Sequence, residues 1–166
     1  MKRDELTQAQ LKDVLSYDPD SGHFQWIVAG KNQYQKYGSI AGSLKPNGYI
    51  DIKLFGTMYK AHRLAWFYMT GEWPMFIDHI NRVKSDNRWR NLRKCNHQQN
   101  MNNVGRYRNN KSGFKGVSLH KDTGKWQVQI RSKGGRMHLG IFEDIELAAL
   151  VAQAAREKYH GEFATQ

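Results

Sequence analysis

The 166-residue chain is long enough for one ordinary domain or two small ones, and its 39% hydrophobic and 12% aromatic content excludes global disorder. Twenty-six Lys and Arg against 15 Asp and Glu leave a formal net charge of +11, a balance that points to a polyanionic partner, most often nucleic acid. No apolar run approaches the roughly 18 residues of a membrane span. The polar start MKRDELTQAQLKDVL lacks a signal-peptide core, and the lone Cys95 excludes an internal disulfide, so a protein of a reducing cytoplasm is expected.

Residues 6 to 15 read as a short helix, capped by Thr7 with Gln10 closing a capping box and with Leu6, Leu11, Val14 and Leu15 on its apolar side. Asp18 to Gly22 is a turn by its chemistry, and HFQWIV alternates like a strand. Residues 30 to 48 read as loop, ending in the turn Pro46-Asn47-Gly48. A hairpin follows: YIDIKL, a turn at Phe55-Gly56-Thr57, and a return over Met58 to Ala61. HRLAWFYMTG reads as a helix ended by Gly71, with Trp73-Pro74 blocking continuation; its aromatics read as core, and His62 as a core hydrogen-bonding histidine rather than a phosphate contact. Next come a strand over Ile77 to Ile80, a polar loop over 81 to 91, a strand over Leu92 to Cys95 and a helix over 96 to 104.

Residues 104 to 112 are basic and lack apolar periodicity, which sets a domain boundary near Asn109. Beyond it, GFKGVSLHK, KWQVQIRS and RMHLGIF alternate as three strands, separated by turns at Asp122-Thr123-Gly124 and Lys133-Gly134-Gly135. Glu143 or Asp144 then caps a helix to about Tyr159, whose small face of Ala148, Val151, Ala152 and Ala155 suits close packing on the sheet. The expected class is α+β, divided into 1–108 and 109–166.

Chemistry concentrates in residues 77 to 103, IDHINRVKSDNRWRNLRKCNHQQNMNN. Hydrolysis of a phosphodiester requires an activated water and a positive centre beside the scissile phosphate. Successive side chains of a strand point to opposite faces, so Asp78 can face a metal while His79 faces a water. Histidine suits the general-base role because it titrates near neutral pH. Asn100, on the following helix, can offer an amide oxygen as second ligand; two oxygen ligands with phosphate and water oxygens favour Mg2+, with Mn2+ as a substitute. Asn87 and Asn91 flank the loop and can tie it down by bonding backbone groups. Cys95, His97, His79 and His62 fit no zinc spacing.

The stretch resembles the HNH endonucleases in their ββα-metal (His-Me finger) form, specifically the phage and intron-associated branch. The match runs through HRLAW at 62–66, GEWP at 71–74, DHIN at 78–81, DNR at 86–88 and NLR at 91–93. The resemblance implies a ββα-metal core over about 76–104, with Asp78 as metal ligand and His79 as general base. It makes Asn91, twelve residues after His79, the central asparagine that braces the loop and positions that histidine. The last motif position, 21 residues after His79, is Asn100 in place of the more usual histidine, as in the HNN variants of the branch. Asn100 is then the second metal ligand, with Asn103, Asn102 or His97 standing in if the helix register differs.

In the carboxy-terminal part, alternation in KWQVQIR puts Trp126, Val128 and Ile130 on one face and Lys125, Gln127, Gln129 and Arg131 on the other. Between 106 and 136, nine Lys or Arg face the single acid Asp122, a basic track along linker and sheet. From Ser112 to Thr165 the chain resembles an AP2 DNA-binding domain, on SGFKGV, KWQVQIR, HLGIF and the alanine-rich helix ending in HGEFA. That family lays its three-stranded sheet in the major groove of double-stranded DNA. Candidate DNA contacts are Lys115, His120, Lys125, Gln127, Gln129, Arg131 and Arg136, with Arg106 and Arg108 in the linker. For Trp126 the resemblance implies a DNA contact and the alternation an inward one. Ser118-Leu119-His120 departs from the arginine-rich plant pattern of that family.

The expected activity is that of a metal-dependent, homing-endonuclease-like DNA endonuclease, phage-encoded and working in a bacterial cytoplasm. A monomer would nick and a homodimer could cut both strands. The alternative is a non-catalytic DNA-binding or regulatory protein.

Overall fold

The structure is a computed structural model that describes residues 6–30, 35–106, 108–132 and 135–164. It is a mixed α+β chain of small antiparallel sheets, and it divides into two compact units, Met1–Cys95 and Asn96–Gln166.

The first unit starts with α1 (Gln8–Val14). Thr7 Oγ1 accepts from the Gln10 N–H while the Gln10 side chain accepts from the Thr7 N–H, so two otherwise orphaned donors of the first turn are satisfied. The chain passes straight into β1 (Leu15–Tyr17), which pairs with β2 (Phe24–Trp26); then β3 (Ser43–Leu44), β4 (Ile50–Leu54) and β5 (Thr57–Lys60) form a three-stranded sheet. Phe55 and Gly56 join β4 to β5 with φ of 48° and 84°. Two positive φ values in a two-residue turn match the right-handed twist of the flanking strands, and glycine takes the second without a Cβ penalty. α2 (Ala61–Thr70) ends at Gly71 in the left-handed conformation, whose N–H bonds the Phe67 carbonyl.

The core of this unit joins Leu11 and Leu15 to Phe24, Ile52, Leu54 and Tyr59 of the strands, with Leu64, Ala65 and Phe67 of α2 and Leu92. Each large apolar side chain buried here contributes about 1.5–3 kcal/mol. Arg63 of α2 donates to the Pro74 carbonyl at 2.8 Å and ties down the turn that leads into β6 (Phe76–His79). β6 pairs antiparallel with β7 (Leu92–Cys95), in a register that sets Asp78 opposite Arg93 and His79 opposite Leu92.

The second unit opens with α3 (His97–Asn102), capped by Asn96 in a reciprocal box with Gln99. The division after Cys95 lies ahead of the 108/109 boundary taken from composition. The basic run marks where apolar periodicity stops, whereas α3 finds its packing neighbours in this unit, among them the 3-10 turn Gly161–Phe163.

β8 (Val117–Leu119), β9 (Trp126–Ser132) and β10 (Gly135–Phe142) form an antiparallel sheet with β9 central. Two residues of the turn expected at Lys133-Gly134-Gly135 lie outside the described residues. Asp144 caps α4 (Ile145–His160) by accepting from the Leu147 N–H at 2.8 Å. Ala148 and Ala152 are fully buried with Val117 and Val128, so the helix packs on the sheet through its smallest side chains. Trp126 packs against this same cluster, on the inward side that alternation indicates.

Candidate functional site

The hairpin β6–loop–β7 carries most of the polar residues singled out in the sequence, and it buries them. Asp78, His79, Asn87 and Asn91 are 7%, 5%, 2% and 6% exposed. Groups this polar are stable inside only when hydrogen-bonded, and the loop between the strands, with β7, supplies partners.

Asn91 spans the loop at its base. Its Oδ1 accepts from the Asn81 N–H at 2.9 Å, and its Nδ2 donates to the Asp86 carbonyl at 2.7 Å. Its main-chain carbonyl accepts from the N–H of Ile80, directly after His79, at 2.9 Å. Asp86 closes the loop from the other side: Oδ2 accepts from Asn81 Nδ2 at 2.6 Å, and the carboxylate takes the Arg88 guanidinium. These donors, the Arg88 side chain foremost, hold the Asp86 pKa down at about 2.

Asn87 is the carboxamide that meets the histidine. Its Oδ1 lies 3.3 Å from His79 Nε2, and its Nδ2 donates to the Ser85 carbonyl. The second bond fixes which way the amide faces, so Oδ1 accepts and the neutral imidazole carries its proton on Nε2. Nδ1 is then the basic nitrogen. The Asn87 main chain is held in turn by Tyr17 of β1, whose hydroxyl donates to its carbonyl at 2.6 Å.

The His62 ring packs edge-on against His79 at 4.9 Å between centroids, and Tyr49 lies 5.2 Å from His62 and 6.0 Å from His79. Burial pushes the His79 pKa below its ordinary value; the Asn87 bond and the charge of Asp78 oppose that shift without reversing it. The imidazole is therefore neutral at pH 7 and competent to take a proton.

Asp78 makes different company. Its Oδ2 accepts from Arg93 Nε at 2.9 Å and Nη2 at 2.8 Å, an ion pair across the β6–β7 ladder with both side chains largely buried. Cys95 remains a thiol, its pKa raised by burial to about 11. Among the described residues no group of three or more His, Cys, Asp or Glu is placed to hold a metal ion. A cation here would use oxygen donors of the carboxylate and carboxamide kind. Asp78 offers the one carboxylate of β6–β7, and Asn100 is a half-buried carboxamide of α3, in the second unit. Asn102 of the same helix accepts from Gln98 Nε2 at 3.0 Å, and Asn103 is the C-cap residue.

The candidate DNA contacts all lie in the second unit. Gln127 and Gln129 stand on the face of β9 opposite the buried Val128 and Ile130, and Arg131 and Arg136 are exposed. Lys125 precedes β9 and pairs with Glu143 at 2.7 Å, while His120 Nδ1 lies 3.1 Å from Thr123 Oγ1 within the turn. Lys115 Nζ donates to the Asn102 carbonyl at 2.7 Å, Arg106 Nη1 to the Gly113 carbonyl at 2.6 Å, and Arg108 is exposed.

Sequence reasoning did not single out Asn81, Asp86, Arg93, Tyr17 or Tyr49. Asp86 and Arg93 fall inside the motif islands DNR and NLR, a signal available in the sequence, whereas Tyr17 and Tyr49 reach the site only through tertiary packing.

Residues 59–102 match the family model described as HNH endonuclease, which assigns an HNH endonuclease domain to that stretch. The match implies a phosphodiester hydrolase acting on DNA with a divalent metal. The chain is also similar to Protein 3.8 of Escherichia phage T7, 29% identical over 117 residues that span 68% of this chain and 96% of that protein. No solved structure matches the chain. Among the described residues no helix is long and apolar enough to cross a membrane.

Proposed function

We propose that the chain is a metal-dependent, homing-endonuclease-like DNA endonuclease of the HNN type, phage-encoded and working in the host bacterial cytoplasm. The observation that carries this reading is the buried His79, neutral by its surroundings and turned by Asn87 so that Nδ1 is its basic nitrogen. His79 takes the proton of the attacking water through Nδ1. Asn87 holds the ring, and Asn91 holds the loop on which Asn87 sits. Asp78 and Asn100 would hold a divalent cation, Mg2+ or Mn2+. When bound, that ion supplies positive charge against the phosphate and the leaving 3′ oxygen, so products carry a 5′ phosphate.

The second unit reads double-stranded DNA as an AP2-like module, through Gln127, Gln129, Arg131 and Arg136 on the sheet and Lys115, His120, Lys125, Arg106 and Arg108 around it. On this reading the nuclease domain, with its N-terminal helix and strands and a ββα-metal core over about 76–104, runs through 1–108 and the reader through 109–166, and the active species is a monomer that nicks or a homodimer that cuts both strands. The grip of Arg93 on Asp78 favours a second reading, a non-catalytic DNA-binding protein.

Supercoiled plasmid incubated with Mg2+ and with EDTA separates the two. Metal-dependent nicking that disappears in His79→Ala supports the enzyme. Binding without any cutting under Mg2+, Mn2+ or Ni2+ would sink it.

A further inference from the structure

The turn between β1 and β2 lies against the middle of the β6–β7 loop, far along the chain, and meets it at three points. Tyr17, the last residue of β1, donates its hydroxyl proton to the Asn87 carbonyl at 2.6 Å across 70 positions of sequence. The Pro19 carbonyl accepts from the Trp89 N–H at 2.9 Å. Gly22 abuts the same segment directly: a Cβ added there would overlap the main-chain carbon of Asn87 and the main-chain nitrogen of Arg88. Its φ of 75° lies in the left-handed region that favours glycine.

The turn has a fixed shape of its own. The Gly22 N–H bonds the Asp18 carbonyl at 2.8 Å, the Asp18 N–H bonds the His23 carbonyl at 3.0 Å, and Asp18 Oδ1 accepts from the Asp20 N–H at 3.0 Å. Tyr17 is 7% exposed, with its ring tilted on Phe24 at 4.8 Å and edge-on to Tyr68 of α2 at 5.8 Å between centroids. Burial, with the charges of Asp18 and Asp86, holds its pKa well above the ordinary phenol value, so the hydroxyl remains a donor.

Bond lengths show where Asn87 is held. Both contacts of its side-chain amide are long, 3.3 Å to His79 Nε2 and 3.3 Å to the Ser85 carbonyl. The bond from Tyr17 to its main chain is short, and the donor is itself fixed between two rings. A displacement of roughly 0.3 Å would carry Asn87 Oδ1 out of hydrogen-bond range of the imidazole. The side chain reaches His79 only while the main chain beneath it stays in place.

We infer that the β1–β2 turn is a positioning element for the reaction, in which Tyr17 and Gly22 set the main chain of Asn87 and, through its side chain, the ring of His79. The role rests on the reading of His79 as general base. Tyr17 is a positioning residue, acting only through Asn87 and His79. A turn that merely packs on the loop would change stability alone; one that positions the loop changes rate beyond what lost stability explains.

The test uses the full chain with Tyr17→Phe, which keeps the ring and removes the bond, and Gly22→Ala, which forces the loop to shift. Ile52→Val, outside the turn, serves as the control for a core that is less stable. Single-turnover nicking of supercoiled plasmid at saturating enzyme with Mg2+ is read beside duplex affinity. Tyr17→Phe is expected to lower the rate about tenfold, as loss of an outer partner does. Gly22→Ala should lower it about 100-fold, the effect of a small misplacement. Affinity should hold in both, and the rate should hold in Ile52→Val. Should Gly22→Ala fail to fold by circular dichroism, Tyr17→Phe carries the expectation.

A second readout requires neither metal nor cutting: the ring-nitrogen chemical shifts of isotope-labelled His79 at fixed, mildly alkaline pH, assigned by their absence from His79→Ala. They report which nitrogen carries the proton. The share of rings protonated on Nε2 should fall in Tyr17→Phe and Gly22→Ala and hold in Ile52→Val. In a chain that cuts, four results overturn the inference and leave the nuclease reading standing: an unchanged rate or an unchanged ring in folded Tyr17→Phe, a loss of affinity in place of rate, or an equal fall in Ile52→Val. In a chain that does not cut, the nuclease reading fails and the ring shifts decide alone: altered shifts uphold the turn as what sets His79, and unaltered shifts overturn it.

Discussion

The two units treat polar side chains in opposite ways. In the hairpin of the first unit, carboxamides, carboxylate and imidazole are held by neighbours within the hairpin: Asn91 by main-chain groups at both ends of the loop, Asn87 by His79, Asp78 by Arg93. In the second unit Arg106, Lys115 and Arg156 each donate to a main-chain carbonyl. A group that must act on one atom has to be held to within a fraction of an ångström. A group that meets a phosphate backbone needs charge more than position. On the proposed function, the contrast separates a place built for chemistry from one built for attraction.

The largest effect is expected at His79. His79→Ala should lower single-turnover nicking by about 10²–10⁴-fold, the usual contribution of a general base, while DNA affinity holds; a parallel loss of affinity would mean that the hairpin also binds. Asn87→Ala is expected to cost less, roughly 10–100-fold in rate, because the base survives but its ring loses its partner. It also has a pH signature. Burial already keeps the His79 pKa below 6.5, so the acid limb of the rate profile should lie below that value. The Asn87 bond stabilises the charged ring, so its removal should move the limb lower still; an upward move would refute the assigned bond. The sign for stability runs the same way, since the folded state resists protonation and loses ground as pH falls below the unfolded histidine value.

Smaller effects probe the architecture. Asn91→Ala should destabilise the first unit by about 1–3 kcal/mol, because it leaves the Asn81 N–H without its acceptor, read as a fall in Tm. Ala152→Leu should cost the second unit about 1–3 kcal/mol by forcing α4 off the sheet, without changing nicking rate per bound complex. The least effect belongs to Glu143→Gln, which frees Lys125 from an exposed pair: Tm should stay essentially unchanged, and DNA affinity should rise slightly.

What the amino-acid sequence disclosed follows the range over which each interaction acts. The Thr7–Gln10 box, the turn at Phe55-Gly56, the cap at Asp144 and the alternation around Val128 are local, decided by residues a few positions apart, and the structure has them all. Within the site, the same reach covers Asn91 and its loop. The Asp78–Arg93 pair depends on strand register, and the stack of Tyr49, His62 and His79 depends on three elements meeting; neither is written in spacing. The compact units divide after Cys95 because packing assigns α3, whereas composition marks only the basic run that follows it.

The bonding of residues 80 to 91 makes the loop unlike most loops in its exchange with solvent. The N–H groups of Ile80, Asn81, Arg82, Val83, Asp86, Trp89 and Asn91 each have an acceptor, in some cases supplied by a side chain rather than a ladder. In deuterium oxide their amide protons should persist as those of a strand do, and be released together when the hairpin opens rather than one by one. The histidine then shares the lifetime of its whole hairpin.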